Sequence, residues 1–374
     1  MAGPELPRPA RRPRRRRATL LLLALAALAL LAFALTRLDL HRVGHAIVTA
    51  TPGWIALALA LMAASLVLRS VSWRETLRAA MPDIQIAWPP VVRATMIGVM
   101  ASALFPGRIG EPSRVLVLSR QLEGPRSRLM AVIAGTVFSQ TLINLLALAA
   151  LAAVTFSAVP LLHGNLAGLE GAILLPLLIV ILVLAGPRLL ARAQRASSRR
   201  LMLAANAVAR ALSLARRGLR VFARPRHGAP AVTFQLLAWT LQWLSCYAVL
   251  LSLGLQSQTG LAAAAAILLA VNVSAVLPAT PSNVGVFQAA CLVVLAAYGV
   301  GAGQGLAYGI ILQAVEVVTA VALGVPALLR EGLTWRDIRR VEREVEETEA
   351  SVMDASPTAD TAANSAASAR ERPQ

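Results

Sequence analysis

The stretch 103-ALFPGRIGEPSR-114 sets three charged side chains, Arg108, Glu111 and Arg114, directly behind an apolar run and a Pro-Gly pair. Their place in a chain that is 57% hydrophobic and 14% charged poses a question of topology. If the apolar run over about residues 89–106 crossed a membrane completely, segment 108–128, with five arginines and two glutamates, would lie outside. Arginine-rich loops are retained on the cytoplasmic side. The run is therefore predicted to enter from the cytoplasm, turn at Pro106-Gly107 and return to the same side, a re-entrant hairpin over 89–120.

The rest of the chain follows from that turn. With 374 residues and a mean hydropathy of +0.67, it contains several apolar stretches near twenty residues, the length that crosses a hydrocarbon layer as a helix. Segment 1–17 is a basic cytoplasmic tail whose residues 8–17 hold seven arginines, and 18–187 is the first membrane half, opening on a retained anchor rather than a cleaved signal peptide. Spans are expected at about 53–72, ending at Arg69, then at 128–154 outward and 170–187 inward. Segment 188–229 is a basic cytoplasmic loop, with eleven arginines and no acid over 188–226. Within it Leu201, Val208, Leu212, Leu219 and Phe222 recur near helical spacing, so it is either a basic amphipathic helix on the inner leaflet or a solvated connector.

The second membrane half is 230–330. It runs outward over 231–254, through two apolar pieces over 261–300 broken by Pro278, Pro281 and Gly285, and inward over about 305–329. The broken element is a hairpin entered from outside or two full spans; both return the chain to the same side. Residues 331–374 form a charged helix and a disordered cytoplasmic tail. The expected fold is thus an all-α polytopic membrane protein with about six full spans plus two re-entrant broken-helix hairpins in an inverted repeat, both termini cytoplasmic, in the bacterial plasma (inner) membrane.

The net charge of +18 comes from arginine, with no lysine in the chain. These arginines fall in inter-helix segments and tails, the footprint of membrane orientation rather than of nucleic-acid binding. Cys246 and Cys291 lie in expected spans without a CxxC, and His41, His45, His163 and His227 have no neighbour at ligand spacing. No metal or cofactor is expected.

The two breaks carry the chemistry. Residues 106–111 read PGRIGE and 281–286 read PSNVGV, so Pro and Gly recur at one offset. Proline removes a donor and glycine accepts unusual angles, so helices end here and leave unpaired backbone groups. Such groups are tolerated in a membrane only beside protein or a wet cavity. New helix starts at Ile109–Arg114 and Asn283–Gln288 would offer N–H donors to a phosphate or carboxylate.

At these residues the sequence resembles the transmembrane, flippase-like region of lysylphosphatidylglycerol synthases and their stand-alone relatives. The resemblance rests on LFPGRIGEPSRVLVLSR, LPATPSNVGVFQAACLVVLAAYGV and ILQAVEVVTAVALG, and covers about residues 18–330. It implies two re-entrant elements and the handling of anionic phospholipids or polyprenyl-phosphate-type lipids, without the aminoacyl-transferase domain or its synthase activity. Where relatives show Pro-Gly-Gly this chain has Pro281, Ser282 and Asn283, and where an acid often follows the aromatic it has Gln288.

The candidate substrate-binding residues are Arg108, Glu111, Arg114, Asn272, Ser282, Asn283, Gln288 and Glu316; the candidate breaks are Pro106, Gly107, Gly110, Pro278, Pro281 and Gly285. Arg108 and Arg114 suit a lipid phosphate through their planar forks of donors. Glu111 caps a helix, exchanges a proton or pairs with an arginine, pairing being the simplest reading. Glu316, near the centre of the last span, is either a proton-coupling carboxylate or a fixed counter-ion for Arg108 or Arg114. Gln140, Asn144 and Gln313 read as interhelical hydrogen-bond partners. The leading function is a flippase-like protein that binds and translocates an anionic lipid. The alternatives are a membrane-embedded lipid-headgroup enzyme, for which no catalytic constellation stands out, and a non-catalytic partner of a separate lipid-modifying enzyme.

Overall fold

The computed structural model describes residues 40–104, 110–158, 225–275 and 283–332. The expected first span, the 170–187 span, the basic loop 188–226, both hairpin tips and the tail beyond 332 lie outside the described residues. The described residues contain helices and turns, and no strand.

The elements are α1 (Leu40–Thr49), α2 (Pro52–Ala80), α3 (Trp88–Leu104), α4 (Gly110–Ser119), α5 (Arg126–Ala158), α6 (Pro225–Ser252), α7 (Gly260–Ser274), α8 (Val286–Ala297) and α9 (Ala302–Arg330). Four stretches are long and apolar enough to cross a membrane: Pro52–Ala80, Val132–Phe156, Arg226–Ser252 and Ala302–Arg330. At 1.5 Å per residue the 29 residues of α2 rise about 43 Å, whereas the 17 of α3 and 10 of α4 rise about 25 and 15 Å, short of the ~30 Å hydrocarbon core. The 15 residues of α7 and 12 of α8 are short in the same way.

Prolines mark the helix starts and stops. Pro52 opens α2 behind an extended Thr51, and Pro89-Pro90 sit in the first turn of α3, where a missing N–H costs nothing. After Met81 donates back to Leu77 O, Pro82 prevents α2 from continuing. Contrary to the expected end at Arg69, α2 runs on to Ala80, because Trp73, Leu77 and Ala80 keep one buried face at helical spacing. No helix was expected over 40–49, where α1 packs against α9.

α2 and α6 pack antiparallel along their length as the main pair. At one end Thr51 N donates to Ser252 O at 2.9 Å; toward the other Ser72 Oγ donates to Ala231 O at 2.7 Å. At the first end Ala50, Leu255, Leu295 and Val300 share one apolar cluster, which gathers the start of α2, the end of α6, the end of α8 and the start of α9. At the opposite end the start of α3 and the end of α4 meet the end of α9. There Arg93 Nε and Gln121 Nε2 donate to the two carboxylate oxygens of Glu331. The start of α3 and the end of α4 therefore lie together beside the end of α9, and the end of α8 lies beside the start of α9.

Close helix contacts are made through glycine. A Cβ on Gly98 would lie 2.1 Å from Arg114 Cγ, and one on Gly110 would lie 2.1 Å from Gly98 O, so α3 and α4 touch backbone to backbone. Outward-facing Leu57, Phe138, Leu237, Val293 and Val318 are exposed, as expected of a lipid-facing surface.

Candidate functional site

A polar cluster lies inside the bundle, where α2, α4, α5, α6 and α9 meet. Arg69 and Trp73 sit one turn apart on α2. Arg69 Nη2 donates to Gln242 Oε1 on α6, and its guanidinium lies 5.5 Å from the Trp239 ring centroid. Arg114, on α4, stacks 4.3 Å over the Trp73 ring and donates from Nη2 to Gln140 Oε1 on α5 at 2.5 Å. Gln140 turns its Nε2 to the main-chain oxygen of Arg69 at 3.2 Å. One glutamine thus ties the two arginines together.

Each cation is held by an aromatic face and an amide oxygen, an arrangement that offsets part of the cost of removing a guanidinium from water. The rings are fixed in turn: buried Trp73 donates from Nε1 to Thr136 Oγ1 at 3.1 Å, and Trp239 donates to Asn144 Oδ1 at 3.2 Å. The fork is nevertheless incomplete. Arg69 Nε and Arg114 Nε are buried and have no hydrogen-bond partner among the described residues. Buried unpartnered donors are rare in proteins and call for a ligand or a water.

Glu316 supplies the negative charge. It lies midway along α9, and its charge and that of Arg69 act on each other. The partner named for Glu316 from sequence was Arg114 or Arg108, the latter outside the described residues; among the described residues the arginine whose charge acts on Glu316 is Arg69. The charges of the cluster are two guanidiniums and two carboxylates, Glu316 and Glu111. Glu111, exposed in the first turn of α4, is the other carboxylate acting on Arg114.

The remaining sequence candidates are distributed as follows. Arg108, Pro106, Gly107, Pro278, Pro281 and Ser282 lie outside the described residues. Gly110 is buried and opens α4. On α7, Asn272 Nδ2 donates to Leu268 O of its own helix at 2.8 Å. Asn283 and Gly285 adopt positive φ of 51° and 89°, which turns the chain sharply into α8. Gln288 accepts from Gly285 N at 2.7 Å and donates to Gln313 Oε1 of α9, so it caps its helix and binds its neighbour. Arg114, Glu111 and Glu316 thus gather at the cluster, while Gln288 is already engaged and Asn272 is bonded along its own helix. Arg69 was missed as a site residue; the signal available was its i, i+4 spacing to Trp73. No group of three His, Cys, Asp or Glu side chains suited to a metal ion occurs among the described residues.

Residues 19–324 match the family described as the lysylphosphatidylglycerol synthase TM region. The chain belongs to that family. Comparison with curated proteins gave no match. The matched region takes in α1 to α8, most of α9 and every residue of the polar cluster. Family membership and the four long apolar helices together make this a multi-pass membrane protein.

Proposed function

We propose that the chain is a flippase-like carrier that binds the phosphate of an anionic phospholipid or polyprenyl-phosphate-type lipid between α2, α4 and α5 and moves it across the bilayer. The observation that carries this reading is the meeting of Arg69 and Arg114 across Gln140, with both Nε donors buried and without a partner among the described residues. A phosphate oxygen is the natural acceptor for such a donor, and the planar guanidinium fork suits it. The surrounding apolar helices leave the acyl chains in lipid. Arg108, two residues ahead of α4, is a further candidate contact for the headgroup on its way in.

The architecture supports the carrier reading. The α3–α4 pair is a re-entrant element entered from the cytoplasm, and the α7–α8 pair is its inverted counterpart entered from outside, so the two broken elements approach each other from opposite faces. Rocking one repeat against the other would expose the cluster to each leaflet in turn. The charged end bearing Arg93 and Glu331 is the cytoplasmic one, and the membrane is the bacterial plasma membrane. The reading is of transport without chemical change.

The test is transfer of a tail-labelled phosphatidylglycerol between leaflets of protein-containing liposomes. Wild-type protein is expected to accelerate it, Arg69→Gln and Arg114→Gln to remove the acceleration, and Arg330→Gln at the exposed end of α9 to leave it intact. Wild-type transfer equal to that of empty liposomes overturns the proposal. A cysteine at position 120 that reacts with an impermeant reagent from outside intact cells overturns the cytoplasmic entry of the α3–α4 pair.

A further inference from the structure

We infer that Gln140 is the positioning residue of the anion site: a neutral amide, anchored on the α2 main chain, that fixes Arg114 inside the bundle and leaves its charge and its Nε donor open to a lipid phosphate. The inference rests on the anionic-lipid reading above and adds to it what holds the site in shape, and why an amide rather than a carboxylate holds it.

Three observations carry it. Arg114 is held at its stem, its face and its tip. A Cβ on Gly98 of α3 would lie 2.1 Å from Arg114 Cγ and 2.4 Å from Cδ, so the stem rests on bare backbone. The guanidinium lies 4.3 Å over the Trp73 ring of α2, and Nη2 donates to Gln140 Oε1 at 2.5 Å. The amide of Gln140, only 5% exposed, is fixed in turn. Its Nε2 donates to Arg69 O at 3.2 Å, which turns the oxygen toward Arg114. Lastly, the ion pairs among the described residues, Arg78–Glu75, Arg93–Glu331 and His227–Glu75, lie toward helix ends and include neither Arg69 nor Arg114. Inside the bundle these two arginines rest on amide oxygens instead, Arg114 on Gln140 and Arg69 on Gln242.

An arginine left free rotates about several bonds, and an anion that must immobilise it binds more weakly for doing so. With stem, face and tip set, the direction of Arg114 Nε is set as well, and an arriving phosphate meets a donor that needs no reordering. Gln140 also ties Arg114 to the stretch of backbone that carries Arg69, which fixes how the two arginines stand to each other before any lipid arrives. A carboxylate at 140 would hold Nη2 equally well, but as an ion pair. It would compete with the phosphate for the same charge, and its second oxygen would face Arg69 O, where neither group can donate. The neutral amide supplies the position without the competition.

The test uses full-length protein in a non-ionic detergent, with tail-labelled phosphatidylglycerol and tail-labelled phosphatidylcholine as probes and soluble glycerophosphate as competitor. Gln140→Met keeps the length of the side chain and removes both hydrogen bonds without adding charge, and is expected to bind phosphatidylglycerol about tenfold more weakly than wild type. In an Arg114→Gln background, where there is no guanidinium to position, the same substitution is expected to cause no further loss, an outcome that a merely structural role for Gln140 would not produce. Gln140→Glu keeps the acceptor and adds a charge. It is expected to lower the preference for phosphatidylglycerol over phosphatidylcholine about tenfold, and serves where Gln140→Met does not fold. Displacement of the labelled lipid by glycerophosphate assigns recognition to the phosphate alone, retention assigns it to the anchored headgroup, and either result, together with the loss in Gln140→Met, supports the positioning role. Wild-type affinity in a stably folded Gln140→Met protein, or wild-type preference in a stably folded Gln140→Glu protein, overturns it while leaving the anionic-lipid reading standing. No binding of phosphatidylglycerol by wild type overturns both.

Discussion

The α3–α4 and α7–α8 pairs have one shape and two electrostatic characters. Each is a pair of short helices on either side of a break that carries proline and glycine in the sequence. The first closes on a backbone contact between Gly98 and Gly110 and carries Arg114 inward to Trp73 and Gln140. The second has no charged residue from Gly260 to Ala297, and its amides bond Leu268 O, Gly285 N and Gln313 close by. One pair brings charge into the bundle and the other brings only uncharged groups. The negative charge that answers Arg69 comes from α9, in the other half of the chain, so the cluster exists only when both halves are assembled.

The contrast can be broken most easily at glycine. A Cβ at Gly110 would lie 2.0 Å from Ser102 Oγ and 2.1 Å from Gly98 O, and a backbone oxygen yields only if the helices separate. Gly110→Ala is expected to cost about 3 kcal/mol or more, seen as a large fall in melting temperature in detergent and loss of lipid transfer. At Gly305, where α9 meets α8, the nearest atom to an added Cβ is the Leu292 Cδ1 methyl at 3.2 Å, which can rotate away. Gly305→Ala is expected to cost less than about 1 kcal/mol. Equal losses in the two variants would show that the pairs are packed alike.

The next largest effect is expected at the charges. Arg69→Leu strands the Glu316 carboxylate without its cation and is expected to cost about 3 kcal/mol, because an ion left alone in an apolar interior loses solvation with nothing in return. Arg69→Leu with Glu316→Leu removes both charges and is expected to recover most of that loss while remaining inactive in lipid transfer. If the double variant melts no higher than the single one, the coupling of the two halves does not run through this pair.

Much of the scaffold was legible because hydropathy, proline and glycine act locally. The run at 128–154, the broken element at 261–300 and the last span fall within a few residues of α5, α7–α8 and α9. Arg114 and Glu316 stood out because a charge inside an apolar run is costly wherever the chain folds. Arg69 did not, since RSVSWRETLR reads as a charged loop until Trp73 and Leu77 are seen buried against the bundle. Partnership was not legible at all. Residues 69, 114, 140 and 242 belong to four helices, and nothing in their spacing says that Gln140 joins two arginines or that Gln242 accepts from Arg69.

Gln288 tests the uncharged pair on its own terms. Its oxygen caps the Gly285 amide at 2.7 Å and its nitrogen reaches Gln313, so Gln288→Ala removes a helix cap and an interhelical bond together. The expected cost is about 1 kcal/mol, independent of salt since no charge is involved. A loss comparable to that of Arg69→Leu would mean that the α7–α8 pair is held by its polar groups as firmly as the bundle is held by its charges.

The smallest effect is expected at the exposed end, where Arg93 ties the start of α3 to Glu331 beyond α9, a link with no charged counterpart in the α7–α8 pair. Arg93 is 29% exposed at its side chain and Glu331 12%, so water and ions reach the pair from one side. Arg93→Gln is therefore expected to cost about 0.5–1 kcal/mol, and that difference should shrink as salt is raised, because mobile ions screen an exposed pair but not a buried one. Melting temperatures of wild type and variant at low and high salt measure it directly. A gap that salt does not narrow would place Arg93 among the buried charges, and the α3–α4 pair would then be anchored by charge at its base as well as at Arg114.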